Sequence, residues 1–296
     1  MSKIVPSLSF GVTLTEEAVY DEYLDASVPV NETAHVILTE VDGEKGIGEI
    51  VDNLAKKFHV EEEVLSHDIG NLFKNLNQNY LLNWRYQTGN RVKDIVFQFL
   101  SQYKPGYHER FEMNETGFLS IFLKMLGVVI RKIVLFWSVF MVLAILSFLY
   151  TQSDFILQFA YYFTVVYFGL ITGFALHETM HAYVHRRMEP QRSGFLAADW
   201  MSIRFVRPVI MPYPKKMIWV TLLGPLVPGM TGVLGLLLIP VVNTGNMVTY
   251  TLLSFFATYS LHLLYLLPFT GDGKSIMSQL AYVRLNKKAA AKQLHK

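Results

Sequence analysis

The run FILQFAYYFTVVYFGLITGFALHETMHAYV, Phe155 to Val184, decides how the chain is read. It is apolar over more than the about 20 residues a helix needs to cross a bilayer. It also holds His177, Glu178 and His181 in the stretch HETMH. Four-residue spacing stacks the two imidazoles on one helical face, a turn apart, where both reach one metal ion. Glu178 lies one step round the helix, close enough to take a proton from a water at such an ion. Ionisable groups in a membrane span are costly unless something holds them, and a pair of merely packed histidines leaves that cost unanswered.

Composition agrees with a membrane protein. The 296 residues are 52% hydrophobic and 14% aromatic but only 17% charged, against about 25% charged in soluble chains. The net charge of +2 gives no argument for nucleic acid. Cysteine is absent, which excludes disulfides, thiolate metal sites and cysteine nucleophiles. Any metal is therefore held by His, Asp or Glu. The opening MSKIVPSLSF lacks the basic segment and long apolar core of a signal peptide, so the N-terminal part is expected to stay in the cytoplasm.

Outward from HETMH, four spans are expected: Ile133–Tyr150, Phe155–Val184, Met217–Val242 and Met247–Leu267. The third is expected to be interrupted at Gly224-Pro225 and Pro228-Gly229. Gly117–Ile130 is expected to lie along the membrane surface, with Arg131 and Lys132 marking the boundary. The connections TQSD and NTGN carry no Lys or Arg, whereas the stretch between spans two and three carries seven, Arg186 and Lys216 among them. By the positive-inside rule the middle loop and both termini are cytoplasmic, in a multi-pass protein of the cell membrane. HETMH and Asp272 then fall at the same depth, each at the cytoplasmic end of a span.

A catalytic zinc takes three protein ligands and keeps one open position. Asp272, between Gly271 and Gly273, is the preferred third donor to His177 and His181. His185, Asp199 and His262 are the alternatives. On a continuous helix His262 would lie about 15 Å from Asp272, and it is expected to be a hydrogen-bonded intramembrane histidine rather than a ligand.

The first part of the chain has a different character. Ile4–Leu14 and Val19–Leu24 are β-type runs broken at Pro6 and Gly11. Asn31 is a helix N-cap, Asp42-Gly43 a stop, and helices follow through Ile47–Phe58 and about 61–77. Tyr80–Tyr86 is a closing strand or the wing of a winged helix. Val92–Tyr103 is an amphipathic helix and KPGYHERFEMNETG a polar linker. The expected division is a recognition domain at 1–88, a linker with an interfacial helix at 89–130, a membrane domain at 131–285 and a basic tail at 286–296. The fold class is thus a small α/β, winged-helix-like domain followed by an all-α polytopic membrane domain.

The segment VNETAHVILTEVDGEKGIGEIVDNLAKKFHVEEEVLSHDIGNLFKNLNQNYLL resembles the PqqD-like fold over about residues 5–85. The resemblance implies recognition of the leader of a ribosomally made, modified precursor peptide. The leader would add as a strand to a sheet edge, here Val19–Leu24, beside the helix carrying Asp68, Leu72 and Asn75. The membrane part, about residues 130–285, resembles the site-2 protease group of intramembrane zinc metalloproteases. HETMH, the Gly224-Pro225 pair and the late LLPFTGDG, Leu266–Gly273, carry the likeness. It implies His177, His181 and Asp272 as ligands of one Zn2+ per chain and Glu178 as general base. It also relates the β-type stretch from Ser193 to Met211 to the family's β region near the site. Tyr265 stands where the family usually has asparagine, and Met180 where many relatives have glycine.

Together these imply a membrane zinc metallopeptidase that matures a precursor peptide at the cytoplasmic face. A peptide-modifying enzyme, an exporter and the lipid membrane are its other expected partners. The alternative is a non-catalytic scaffold or immunity protein that binds such a peptide. A di-iron oxidase is disfavoured because the spans hold too few histidines.

Overall fold

A computed structural model describes residues 3–200, 202–208, 215–242 and 245–294. It divides into two compact units, Met1–Asn114 with Gln191–Pro208, and Glu115–Pro190 with Val209–Lys296. The architecture is the expected one: a small α/β region with sheets, then a helical part with four candidate membrane spans.

In the first unit, β1 (Lys3–Leu8) pairs antiparallel with β5 (Leu82–Gln87). β1 runs through Pro6, which was expected to break it. A two-stranded sheet is all edge, where proline is tolerated. β2 (Val12–Leu14), β3 (Ala18–Asp21) and β4 (Ala26–Pro29) form a meander in the order β2-β3-β4. β3 is therefore the central strand. Val19–Leu24, expected as the edge, is interior at its start and then turns, with Asp21 Oδ1 accepting the N–H groups of Tyr23 and Leu24 at 3.0 and 3.2 Å. The free edge on that side is β4, exposed along its length, which is short and lacks the apolar alternation that marks a strand.

Three helices share one core with these strands. α1 (Glu32–Thr39) starts where Asn31 Oδ1 accepts the Ala34 N–H at 2.8 Å. α2 (Ile47–Phe58) starts where the Glu49 carboxylate accepts the Gly46 N–H at 2.9 Å, and ends at His59 in the left-handed region. α3 spans Glu62–Gln78. Their buried stripes, Ile50, Val51 and Leu54 on α2 and Leu65, Ile69, Phe73 and Leu76 on α3, close on Val12, Val19, Leu81 and Leu82.

α4 (Arg91–Ser101) follows, then β6 (His108–Phe111), β7 (Phe195–Asp199) and β8 (Ile203–Val206) in a sheet of order β6-β7-β8. The expected polar linker thus contains a strand. Its partner β7 lies far along the chain, and a pairing that distant leaves no local pattern. HERF also reads as polar from its charged residues, although its arginine is buried. Arg110 donates to both carboxylate oxygens of Asp21, at 2.6 and 2.9 Å, and lies 3.8 Å from the centre of the Phe195 ring.

The second unit is helical. α5 (Phe118–Thr151) is one continuous helix of 34 residues, so the expected surface segment and first span are not separated at Arg131-Lys132. Lysine and arginine are good helix formers, and Lys132 is buried. α6 (Asp154–Met188) packs against α5, against α7 (Met217–Leu238) and against α8 (Asn246–Ser260). α7 stays helical through Pro225 and Pro228, where interruptions were expected. Packed neighbours re-satisfy the main-chain groups such prolines release. A 3-10 turn, Leu261–Leu266, follows α8, and α9 (Gly271–Leu294) continues past the expected start of the basic tail. Among the described residues, four helical stretches are long and apolar enough to cross a membrane: Phe118–Thr151, Asp154–Met188, Met217–Val241 and Asn246–Leu285.

Candidate metal centre

The centre is built on α6 where it meets α7 and the turn before α9. His177 and His181 are both buried, and their Nε2 atoms lie 3.0 Å apart. His181 Nδ1 is 2.7 Å from the Val220 main-chain oxygen. A carbonyl only accepts, so Nδ1 carries a proton, and in the neutral ring Nε2 keeps its lone pair. Gly224 makes this contact possible. Any Cβ there would overlap the His181 ring, so the Gly224-Pro225 pair lets α7 pass close beside the histidine.

Asp272, in the first turn of α9, completes the cluster. Its Oδ2 lies 2.9 Å from His177 Nε2 and its Oδ1 3.4 Å from His181 Nε2. Its position depends on Gly273, whose Cβ would collide with the main chain of Leu266 and Leu267. Only glycine lets α9 fold back this tightly. Glu178 is 7% exposed, and its Oε1 stands 4.0 Å from His177 Nε2.

These separations test whether the residues suit a metal. Tetrahedral bonds of about 2.0–2.1 Å place donor atoms about 3.3 Å apart. The His177, His181 and Asp272 donors are spaced at 3.0, 2.9 and 3.4 Å. Each imidazole faces a different Asp272 oxygen, Oδ2 for His177 and Oδ1 for His181, and the three side chains are near enough to share a single ion. His177, Glu178 and His181 also lie within 4.8 Å of one another as a possible ligand group. The Asp272 contacts of 2.9 and 3.4 Å are shorter than the 4.0 Å from Glu178 to His177, so with Asp272 as third donor Glu178 would stand beside an ion. Two imidazoles and a carboxylate suit zinc, and the same set can also hold iron(II).

The alternatives fall elsewhere. The Asp199 carboxylate accepts the main-chain N–H and the hydroxyl of Ser202 in the β7–β8 turn, at 2.7 and 2.6 Å. His185 is buried one turn beyond His181 and is not in the possible ligand group among the described residues. His262 differs from expectation. Its ring is 5.6 Å from that of His177, filling the space over Gly173, and neither ring nitrogen has a hydrogen-bond partner among the described residues. The helix does not run straight from His262 to Asp272: the chain folds between Leu267 and Thr270, with the Thr270 hydroxyl on the Tyr265 and Leu267 carbonyls at 2.6 and 2.7 Å. His262 and Asp272 thereby flank the same imidazole.

Three further contributors are not among the expected site residues, although Tyr265 marks a departure from the family pattern. The Val220 carbonyl is main chain. The Tyr265 ring meets the His177 ring edge-on at 5.1 Å. Gln279 on α9 donates to Thr221 on α7 at 3.0 Å, tying together the helices that carry Asp272 and Gly224.

In the first unit, the order from the end of β3 through β4 and α1–α3 to the start of β5 can be compared with known families. Residues 21–82 match the family model described as Coenzyme PQQ synthesis protein D (PqqD). No curated protein and no solved structure gives a match to the chain. The PqqD-like domain holds the exposed strand β4 and the helix α3, on which Asp68 and Asn75 are exposed and Leu72 is partly buried.

Proposed function

We propose that this chain is a membrane zinc metallopeptidase that cuts the leader from a ribosomally made, modified precursor peptide. The observation that carries the reading is the convergence of His177, His181 and Asp272 at 2.9–3.4 Å with Glu178 alongside. The resemblance of HETMH, Gly224-Pro225 and LLPFTGDG to site-2 proteases supports the same assignment.

Two neutral imidazole Nε2 atoms and the Asp272 carboxylate would hold the ion. When bound, zinc supplies a Lewis acid that acidifies water and polarises a peptide carbonyl. Val220 fixes the His181 tautomer and so keeps its donor lone pair turned inward. The Glu178 carboxylate takes a proton from the attacking water and returns it to the leaving amine nitrogen. The C–N bond breaks and water supplies the new carboxyl oxygen.

The PqqD-like domain would supply the choice of substrate. An extended leader adding beside β4 would gain main-chain hydrogen bonds, with side chains of the domain reading the sequence. The charge asymmetry of the loops favours cleavage at the cytoplasmic face. A peptide-modifying enzyme would act before this step and an exporter after it.

The test is incubation of the detergent-purified protein with a leader-bearing precursor, read by mass spectrometry. One cut, abolished by a chelator and by Glu178→Ala, is expected. Binding without any cut would replace this reading with the non-catalytic one, and the same products from Glu178→Ala would contradict Glu178 as the base.

A further inference from the structure

α4 is turned inside out for a helix at the surface of a water-soluble domain. Its polar side faces the protein: Ser101 and Gln102 are 2% and 0% exposed. Asp94 accepts from the Thr88 main-chain N–H and hydroxyl at 2.6 and 2.7 Å, and Gln98 donates to the Trp84 carbonyl at 3.3 Å. The outward side is apolar. Val92 and Ile95 are 70% and 69% exposed, Val96 45% and Leu100 44%. Their spacing is that of one helical stripe. Helices of soluble domains carry the opposite arrangement, and a continuous exposed apolar stripe marks a surface that something covers.

Charge and tethering identify the cover. Asp94, the one carboxylate between Arg91 and Lys104, is drawn inward to Thr88, whereas Arg91, Lys93 and Lys104 are exposed around the stripe. Apolar residues rimmed by cations suit the boundary between anionic headgroups and acyl chains. The first candidate span begins at Phe118, a short distance along the chain from Leu100. α4 is therefore held near a bilayer at high effective concentration, and weak intrinsic affinity suffices.

We propose that the outward face of α4 is a membrane-surface anchor that lies in the interface of an anionic bilayer. It would hold the first unit at the lipid surface independently of any peptidase activity.

The absence of cysteine makes a direct test possible, because one introduced cysteine is a unique label site. Full-length Ile95→Cys, carrying a nitroxide, is placed one protein per nanodisc in phosphatidylcholine with phosphatidylglycerol. Lys74→Cys, on the exposed side of α3, is the aqueous control. The expected result is a several-fold higher ratio of oxygen to nickel-chelate collisions at Ile95 than at Lys74. Val96→Cys gives the same reading if the first label disturbs the helix. Equal aqueous accessibility at all three positions would overturn the proposal. So would shielding that appears only with two proteins per disc, which would assign the face to a second copy of the chain.

Discussion

His181 donates its Nδ1–H to the Val220 carbonyl across 2.7 Å, and this bond turns Nε2 towards His177. The contact needs α7 to pass without a side chain at Gly224. Gly224→Ala places a methyl group in the His181 ring, so either the ring or the helix must shift. Loss of such an orienting bond typically lowers metal affinity about 10–100-fold. Chelator competition on the purified variant should show a loss of that size, with the helical content unchanged.

Asp272 and Glu178 separate by experiment because they act differently. Asp272→Ala removes a donor and should release metal in proportion to chelator at concentrations the native protein resists. Glu178→Gln keeps the volume and leaves the three donors in place. It should retain metal while peptide cleavage falls by about 100-fold or more, the usual contribution of a general base. Metal content and product yield measured on the same samples distinguish the two.

Leader recognition makes a prediction at one main-chain atom. Val28 pairs with Val19, and the Val30 N–H bonds the Glu17 carbonyl at 3.1 Å. By alternation, Ser27 turns its N–H outward from the sheet. Ser27→Pro removes that donor and leaves the β3–β4 bonds intact. Affinity for the leader should fall by about tenfold, one good hydrogen bond. Cleavage of a leaderless peptide, however slow, should be unchanged.

The ion pair of Arg110 and Asp21, 1% and 3% exposed, ties β6 to the end of β3. Asp21→Ala leaves a guanidinium buried without its partner and should cost about 3–5 kcal/mol. Asp21→Leu combined with Arg110→Met should recover most of that loss. Resistance of the first unit to limited proteolysis on heating checks both.

Local pattern was enough to read the helices of the first unit. Asn31, the Asp42-Gly43 stop and the stripe from Ile50 to Leu54 act within a turn or two of chain, so they mark α1 and α2 directly. The four apolar stretches were equally plain, because crossing a bilayer imposes length and composition together. What stayed hidden depends on distance in sequence. β6 is a strand only because β7 arrives much later, and its arginine misleads because Asp21 is far off in sequence. In the centre, residue type and spacing single out His177, Glu178 and His181, and the glycines draw attention to Asp272. The Val220 carbonyl has no residue signature. The position of His262 followed from a fold at Leu267–Thr270 that hydropathy does not reveal.

The account rests on His177, His181 and Asp272 holding one zinc ion, so metal analysis of the purified native protein tests it most directly. About one zinc per chain is expected, retained in Glu178→Ala and lost in His177→Ala. Iron in its place, or the same metal content in the His177→Ala protein as in the native one, would contradict it.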